Sequence, residues 1–310
     1  MSIDPEIRSY VAQFDQALGG PLHRLEPAVL RAITSRAGPV TRPPDVTVSD
    51  RLVSHAGREV RVRIYRPGGA WRVSRRALLF FHGGGWVIGS VDSYDDVAAD
   101  IASAARCTVI SVDYSLAPEH PYPAAMRDGE AVAEWFGTHA AELGVDPAYV
   151  AIGGDSAGGN LAAALCVGYR DRGRGVPFRF QWLLYPALDV DIDRPSYRSN
   201  AEAPILGRDT MIWFLRQYLG DGWQAPDVYA APCRAGDLAG LPPAFIHTAS
   251  FDPLHDEGVE FAERLRVAGV RCSHRNACDL VHGFIRMRNI SARARIEFAA
   301  ACAALDEGLS

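Results

Sequence analysis

The chain contains no lysine, so all 32 of its Lys-plus-Arg total are arginines. We take this as composition, not function. Positive charge does not dominate either: 37 acidic residues outweigh it, for a formal net charge of −5. That balance excludes general binding to nucleic acid or anionic membrane, which needs a basic surface. Long apolar runs are missing. Runs such as "ALLFF" (residues 77–81) fall far short of the roughly 20 residues that span a bilayer. The opening "MSIDPEIRSYVAQF" lacks an apolar stretch of signal-peptide length. Cysteines are scattered at 107, 166, 233, 272, 278 and 302, so no disulfide framework is expected. They read as reduced thiols in a cytoplasmic protein. Cys272, His274, Cys278 and His282 match no zinc spacing, so no metal site is expected there; a cofactor is not expected either. Internal repeats and low-complexity tracts are absent.

What is present is the composition of an ordinary soluble protein, 48% hydrophobic and 22% charged over 310 residues. That length suits one large domain with a small cap, or two modest domains. Two helical patterns, "PEIRSYVAQFDQAL" and "EPAVLRAITSRAG", open the chain. The β-rich runs "VTVSDRLVSH" and "EVRVRIYRP" follow, broken at Ala56-Gly57, and predict a hairpin. From Ala77 short apolar strands alternate with helical segments, near 93–105, 124–140, from 157, 256–268 and 291–306. Near-continuous apolar strands separated by helices predict an α/β fold, a mostly parallel sheet covered on both faces. The stretch 190–225 breaks the alternation: it holds the helix "RDTMIWFLRQYLG" but no strand. It predicts an insertion over the sheet that forms a lid with the first two helices. The expected organisation is cap helices over 1–45, a core over 46–189 and 226–310, and a cap insertion over 190–225.

Chemistry concentrates at "IGGDSAGGNLAAAL", residues 152–165. Ser156 sits in G-D-S-A-G, where a buried strand meets a helix. This is the nucleophile-elbow pattern G-x-S-x-G of α/β-hydrolases. A sharp strand-to-helix turn strains the serine backbone, and bulky residues two positions away would collide with it. The helix N-terminus favours a developing anion. A second element, "FFHGGGW", follows the first parallel strand and carries Gly83, Gly84 and Gly85. Such glycines let backbone N–H groups face open space and hold an oxyanion, with the Ala157 N–H as a further donor. The spacing does not suit a dinucleotide site. A serine needs a base. In this plan the order is serine, acid, histidine. Of the downstream histidines, His247 and His274 fall within strands and His255 opens a helix. His282, in "LVHGF", falls in the loop after the last strand. Asp252 directly follows the strand "AFIHTAS" and is the expected acid. Asp256 and Glu257 are expected to cap the following helix, and Asp279 to share the loop of His282.

With these pieces placed, the chain resembles the hormone-sensitive-lipase-like esterases, also called bacterial family IV. The matching stretches are "HGGGWVIGS", "VDYSLAPEHPYPAA", "GGDSAGGNLAAAL", "SFDPLHDEGVEFAERL" and "VHGF". They run from about Val46 to the C-terminus, and "GDSAG" marks the corresponding subgroup. The resemblance implies an α/β-hydrolase with a helical cap from the N-terminus and an insertion after the sixth strand. It implies Ser156 as nucleophile, His282 as base and Asp252 as acid. It places Gly83, Gly84, Gly85 and Ala157 at the oxyanion hole, with Gly83 shaping the loop and the others donating. The activity implied is hydrolysis of short- to medium-chain acyl esters, the partner being a small-molecule ester, with a homo-oligomer such as a dimer left open. An amidase or arylformamidase using the same apparatus is the alternative, and a non-catalytic ligand-binding member of the fold a more distant one. Trp86, Leu206, Trp213, Phe214 and Phe284 are candidates for the substrate pocket. Tyr114, Glu119 and Asp155 are expected to support nearby loops. Three positions depart from the family pattern: Ser115 and His255 replace arginines, and Asp279 replaces a glycine. Asp279 is expected to raise the His282 pKa or to alter its loop.

Overall fold

The computed structural model describes residues 2–35, 41–69 and 74–310. Its sheet has eight strands: β1 (Thr47–His55), β2 (Arg58–Arg66), β3 (Ala77–Phe81), β4 (Thr108–Val112), β5 (Val150–Asp155), β6 (Phe180–Leu184), β7 (Ala244–Phe251) and β8 (Cys272–Val281). Their spatial order is β1-β2-β4-β3-β5-β6-β7-β8. The β2 strand runs antiparallel to both its neighbours, and every pairing from β4 to β8 is parallel. The sequence explains the order. Every residue of β3, β4, β5 and β6 is buried, as strands covered on both faces must be. The β1 strand is mostly exposed and takes an edge. The Ala56-Gly57 break is a two-residue turn with φ of 50° and 75°, the left-handed pair that suits a tight hairpin.

Alternation along the strands separates two apolar cores. Leu79, Phe81, Ile110 and Ile152 face one side, packed with helices α4 (Ala124–His139), α5 (Ala157–Asp171) and α8 (His255–Val267). Leu78, Phe80, Val109 and Ala151 face the other, packed with α3 (Asp95–Ala104) and α9 (Ala292–Gly308).

The N-terminal segment contributes α1 (Pro5–Leu18) and α2 (Pro27–Thr34). The helix predicted to reach 38 is helical to Thr34, and positions 36–38 lie outside the described residues. Between β6 and β7 the chain forms α6 (Pro195–Ser199) and α7 (Arg208–Leu219), with no strand, as the broken alternation predicts. His23 on the N-terminal segment faces Thr210 of α7, Nδ1 to Oγ1 at 3.4 Å. The N-terminal segment also grips the core: the Arg31 guanidinium donates to the carbonyls of Val87 and Ala117 and to the Glu119 carboxylate.

Two expectations are corrected. The last strand runs to Val281, beyond the predicted 270–276. It is an edge strand with alternating exposure, and solvent accepts its polar residues. Asp279 therefore lies within the strand, not within the His282 loop. Its carboxylate pairs with Arg293 Nε at 2.9 Å and its carbonyl accepts from Asp4 N–H. The second correction concerns Asp256 and Glu257, which do not cap α8. Asp256 accepts from Ser196 N–H at 2.8 Å and Glu257 from Leu188 N–H at 2.7 Å, so both hold the chain leaving β6. Burial pushes the Glu257 carboxyl well above the ordinary range.

Candidate active site

Ser156 follows β5 and precedes α5, with φ 55° and ψ −119°. Non-glycine residues rarely adopt this conformation, and the surroundings enforce it. A Cβ on Gly154 or Gly158 would collide with the Phe81 carbonyl oxygen. The two glycines thus let the elbow press against β3, with Ser156 raised over the sheet's C-terminal edge.

His282 comes immediately after β8, and Asp252 immediately after β7. Neighbouring parallel strands end at one edge, so residues 30 positions apart meet there: His282 Nδ1 lies 2.7 Å from Asp252 Oδ2. On the imidazole's other side Nε2 lies 2.8 Å from Ser156 Oγ. Asp252 Oδ1 accepts from Leu254 N–H at 2.8 Å, which fixes the carboxylate plane. Tyr185 meets the His282 ring edge-on at 4.9 Å. Asp252 is fully buried, while Ser156 and His282 each keep 7% of their surface. A dry, oriented carboxylate–imidazole–hydroxyl chain can move a proton off the hydroxyl oxygen.

The glycine loop stands opposite. Among the described residues, no acceptor is bonded to the N–H groups of Gly84, Gly85 or Ala157. Gly85 has φ 57°, and a side chain there would enter the Phe214 ring. The Gly83 N–H, by contrast, is taken by Asp155 Oδ1 at 2.8 Å, so Gly83 shapes the loop and is no donor to a substrate. Asp155 also accepts from Tyr94 Oη at 2.9 Å and from Tyr185 Oη at 3.4 Å. Burial raises its pKa against these bonds. Tyr114 donates to the His82 carbonyl at 2.8 Å, tying the loop from behind. His82 itself is fully buried, and burial pushes its imidazole down to about 4.

Ser156 and His282 open on a cavity of about 100 Å³. Trp86, Leu206 and Phe214 are among its lining residues, joined by Leu22 and Met211. Trp86 is pinned by stacking on Tyr218 at 4.3 Å. Trp213 and Phe284 are not among its lining residues. Trp213 packs edge-on against Phe214 at 5.1 Å. Phe284 is buried beneath His282, against Tyr185 and His247. Sequence reasoning missed Tyr94, Tyr185 and Arg286. Tyr185 had a legible signal, its place one residue past a parallel strand.

The other titratable candidates serve elsewhere. His247 pairs with Glu297 at 3.0 Å and His274 with Thr248 at 2.9 Å, and among the described residues no three His, Cys, Asp or Glu side chains converge as metal ligands would. All six cysteines are free thiols. With Ser115 in place of an arginine, a guanidinium still reaches that loop: Arg58 pairs with Asp128, whose other oxygen accepts from Ser115 N–H. No helix among the described residues is long and apolar enough to cross a membrane.

Comparison with known proteins shows the family. The model of an α/β-hydrolase-fold family matches residues 78–286. Carboxylesterase NlhH of Mycobacterium tuberculosis is 44% identical over 248 residues, covering 78% of this chain and 76% of that protein. Ethyl acetate hydrolase of Pseudomonas putida is 31% identical over 299 residues and 94% of each chain. The solved structure of a hyperthermophilic esterase from the archaeon Pyrobaculum calidifontis superposes with a TM-score of 0.90 at 35% identity, covering 99% of both chains. A family model matching residues 78–286 and a relative 44% identical over 78% of this chain make the chain a member of the α/β-hydrolase fold family, in its hormone-sensitive-lipase-like branch.

Proposed function

We propose that the protein is a carboxylic ester hydrolase that works through Ser156, with His282 as base and Asp252 as the acid that orients it. The observation that carries this reading is the unbroken chain from Ser156 Oγ to His282 Nε2 at 2.8 Å and from Nδ1 to Asp252 at 2.7 Å. His282 takes the hydroxyl proton as the oxygen attacks the ester carbonyl. The N–H groups of Gly84, Gly85 and Ala157 receive the charge on the carbonyl oxygen. The tetrahedral intermediate collapses, the alcohol leaves with the proton from His282, and an acyl-serine remains. Water then repeats the attack and releases the acid.

The substrate reading is a short- to medium-chain acyl ester. The cavity is small, about 100 Å³, which favours small acyl groups. Leu22 from the N-terminal segment and Leu206, Met211 and Phe214 from the insertion wall this cavity. We read these two segments as one cap that excludes water and sets chain length. The test is direct. Purified protein hydrolyses p-nitrophenyl acetate and butyrate, and Ser156→Ala abolishes turnover while the fold persists by circular dichroism. Undiminished activity in that variant would reject the site.

A further inference from the structure

Two arginines follow His282 in "VHGFIRMR", and they have opposite surroundings. Gly283, with φ 77°, reverses the chain, and Phe284–Met287 forms a single 3-10 turn. Phe284, Ile285 and Met287 are buried and anchor this turn, while Arg286 is exposed. Arg288 is spent on structure: it pairs with Asp96 at 2.8 Å and with Asp100 at 2.6 Å. Arg286 lies over the Tyr94 ring, its Cζ 4.8 Å from the centroid. Among the described residues, none accepts a hydrogen bond from its guanidinium or forms an ion pair with it. Asp155 and Asp96 attract it through space, yet each is already engaged, Asp155 by Gly83 and Tyr94 and Asp96 by Arg288.

Arg286 is among the residues that line the same cavity as Ser156 and His282. The cavity's other ionisable groups are satisfied. Asp155 and Tyr94 hydrogen-bond each other, and His282 is held between Ser156 and Asp252. The remaining walls are largely apolar, with Leu22, Leu206, Met211 and Phe214 among them. A planar fork of donors, set on an aromatic face and without an acceptor among the described residues, is built to take a carboxylate.

We propose that Arg286 selects esters that carry a second, ionised carboxylate, in the acyl part or in the alcohol part. The inference rests on the ester-hydrolase reading and adds no chemical step to it. It makes Arg286 a specificity-determining residue.

The experiment compares matched esters by base titration of the acid released. Methyl hydrogen succinate against methyl butyrate tests an acyl-side carboxylate; O-acetylglycolate against ethyl acetate tests the alcohol side. The expected result is a kcat/KM ratio of at least about tenfold in favour of the anionic ester in one pair, worth about 1.4 kcal/mol. In Arg286→Gln that ratio falls to about one, and in Arg286→Lys part of it returns. Because each ratio is taken within one variant, a general loss of activity does not imitate the effect. Wild-type protein supplies an independent arm: the ratio should shrink several-fold as salt rises from about 0.01 M to about 1 M, where the screening length falls from about 30 Å to about 3 Å. No preference in either pair, a preference that survives in Arg286→Gln, or one indifferent to salt overturns the proposal. Wild type inert on all four esters yet active on p-nitrophenyl acetate also overturns the proposal, whereas inertness on p-nitrophenyl acetate as well would instead sink the hydrolase reading beneath it.

Discussion

Asp252→Asn changes the orienting acid by one atom, and the structure fixes what that atom does. Asp252 Oδ1 accepts from the buried Leu254 N–H, and Oδ2 accepts from His282 Nδ1–H. In the variant the amide oxygen must keep the Leu254 donor, so the NH2 group turns towards His282. Nδ1 then has to accept, the ring proton moves to Nε2, and Nε2 now donates to Ser156 Oγ when it should accept. Restoring the working tautomer requires flipping the amide against Leu254 N–H, which leaves a buried donor unpaired at about 1–3 kcal/mol. Replacing an ionised acceptor by a neutral one weakens support for the imidazolium by about 1–1.5 kcal/mol more. The sum, about 2–4.5 kcal/mol, corresponds to roughly 30- to 2,000-fold in kcat/KM. The analogous change in a serine protease triad costs about 10⁴ in kcat, somewhat above this range. The assay is steady-state hydrolysis of p-nitrophenyl butyrate, with the melting temperature as a check that the variant is folded. A folded variant with more than about a tenth of wild-type kcat/KM would refute the reasoning, because the loss would then fall short of the two contributions together.

Two further outcomes follow from buried or paired charge. Burial holds His82 near 4, against 6.5 in the unfolded chain. Between those values the unfolded state binds a proton that the native state refuses, so stability is complete above about 6.5 and is lost as pH falls towards 4, by up to about 3 kcal/mol. Urea unfolding at stepped pH should show a shallower acid loss in His82→Asn; identical slopes would contradict this assignment. Asp279 is paired with Arg293, so Asp279→Gly should leave both limbs of the pH–rate profile in place. A limb displaced by more than about half a unit would return Asp279 to the electrostatics of His282.

The strands of the parallel sheet were legible because each is a short, wholly apolar run, a signal that needs no partner to be read. The elbow was legible for a similar reason: Gly154 and Gly158 record a local steric demand. The fates of Asp279, Glu257 and Phe284 were not. Asp279 looked like part of the His282 loop only because polar residues in an edge strand resemble a loop in sequence. Glu257 looked like a cap of its own helix, whereas its partner is the Leu188 N–H, 69 residues away. Phe284 looked like a pocket wall until the Gly283 turn folded it under His282.

By itself the sequence determined the order of strands and helices, the kinked serine, and the acid and histidine at strand ends, since all of these depend on periodicity and on what glycine alone permits. Tertiary structure decided which polar group meets which. It gave the Gly83 amide to Asp155 and spent Arg288 on two aspartates, while among the described residues the amides of Gly84 and Gly85 stay free and Arg286 pairs with no aspartate. Such pairings depend on where a folded sheet brings distant segments together, and no local pattern encodes that distance.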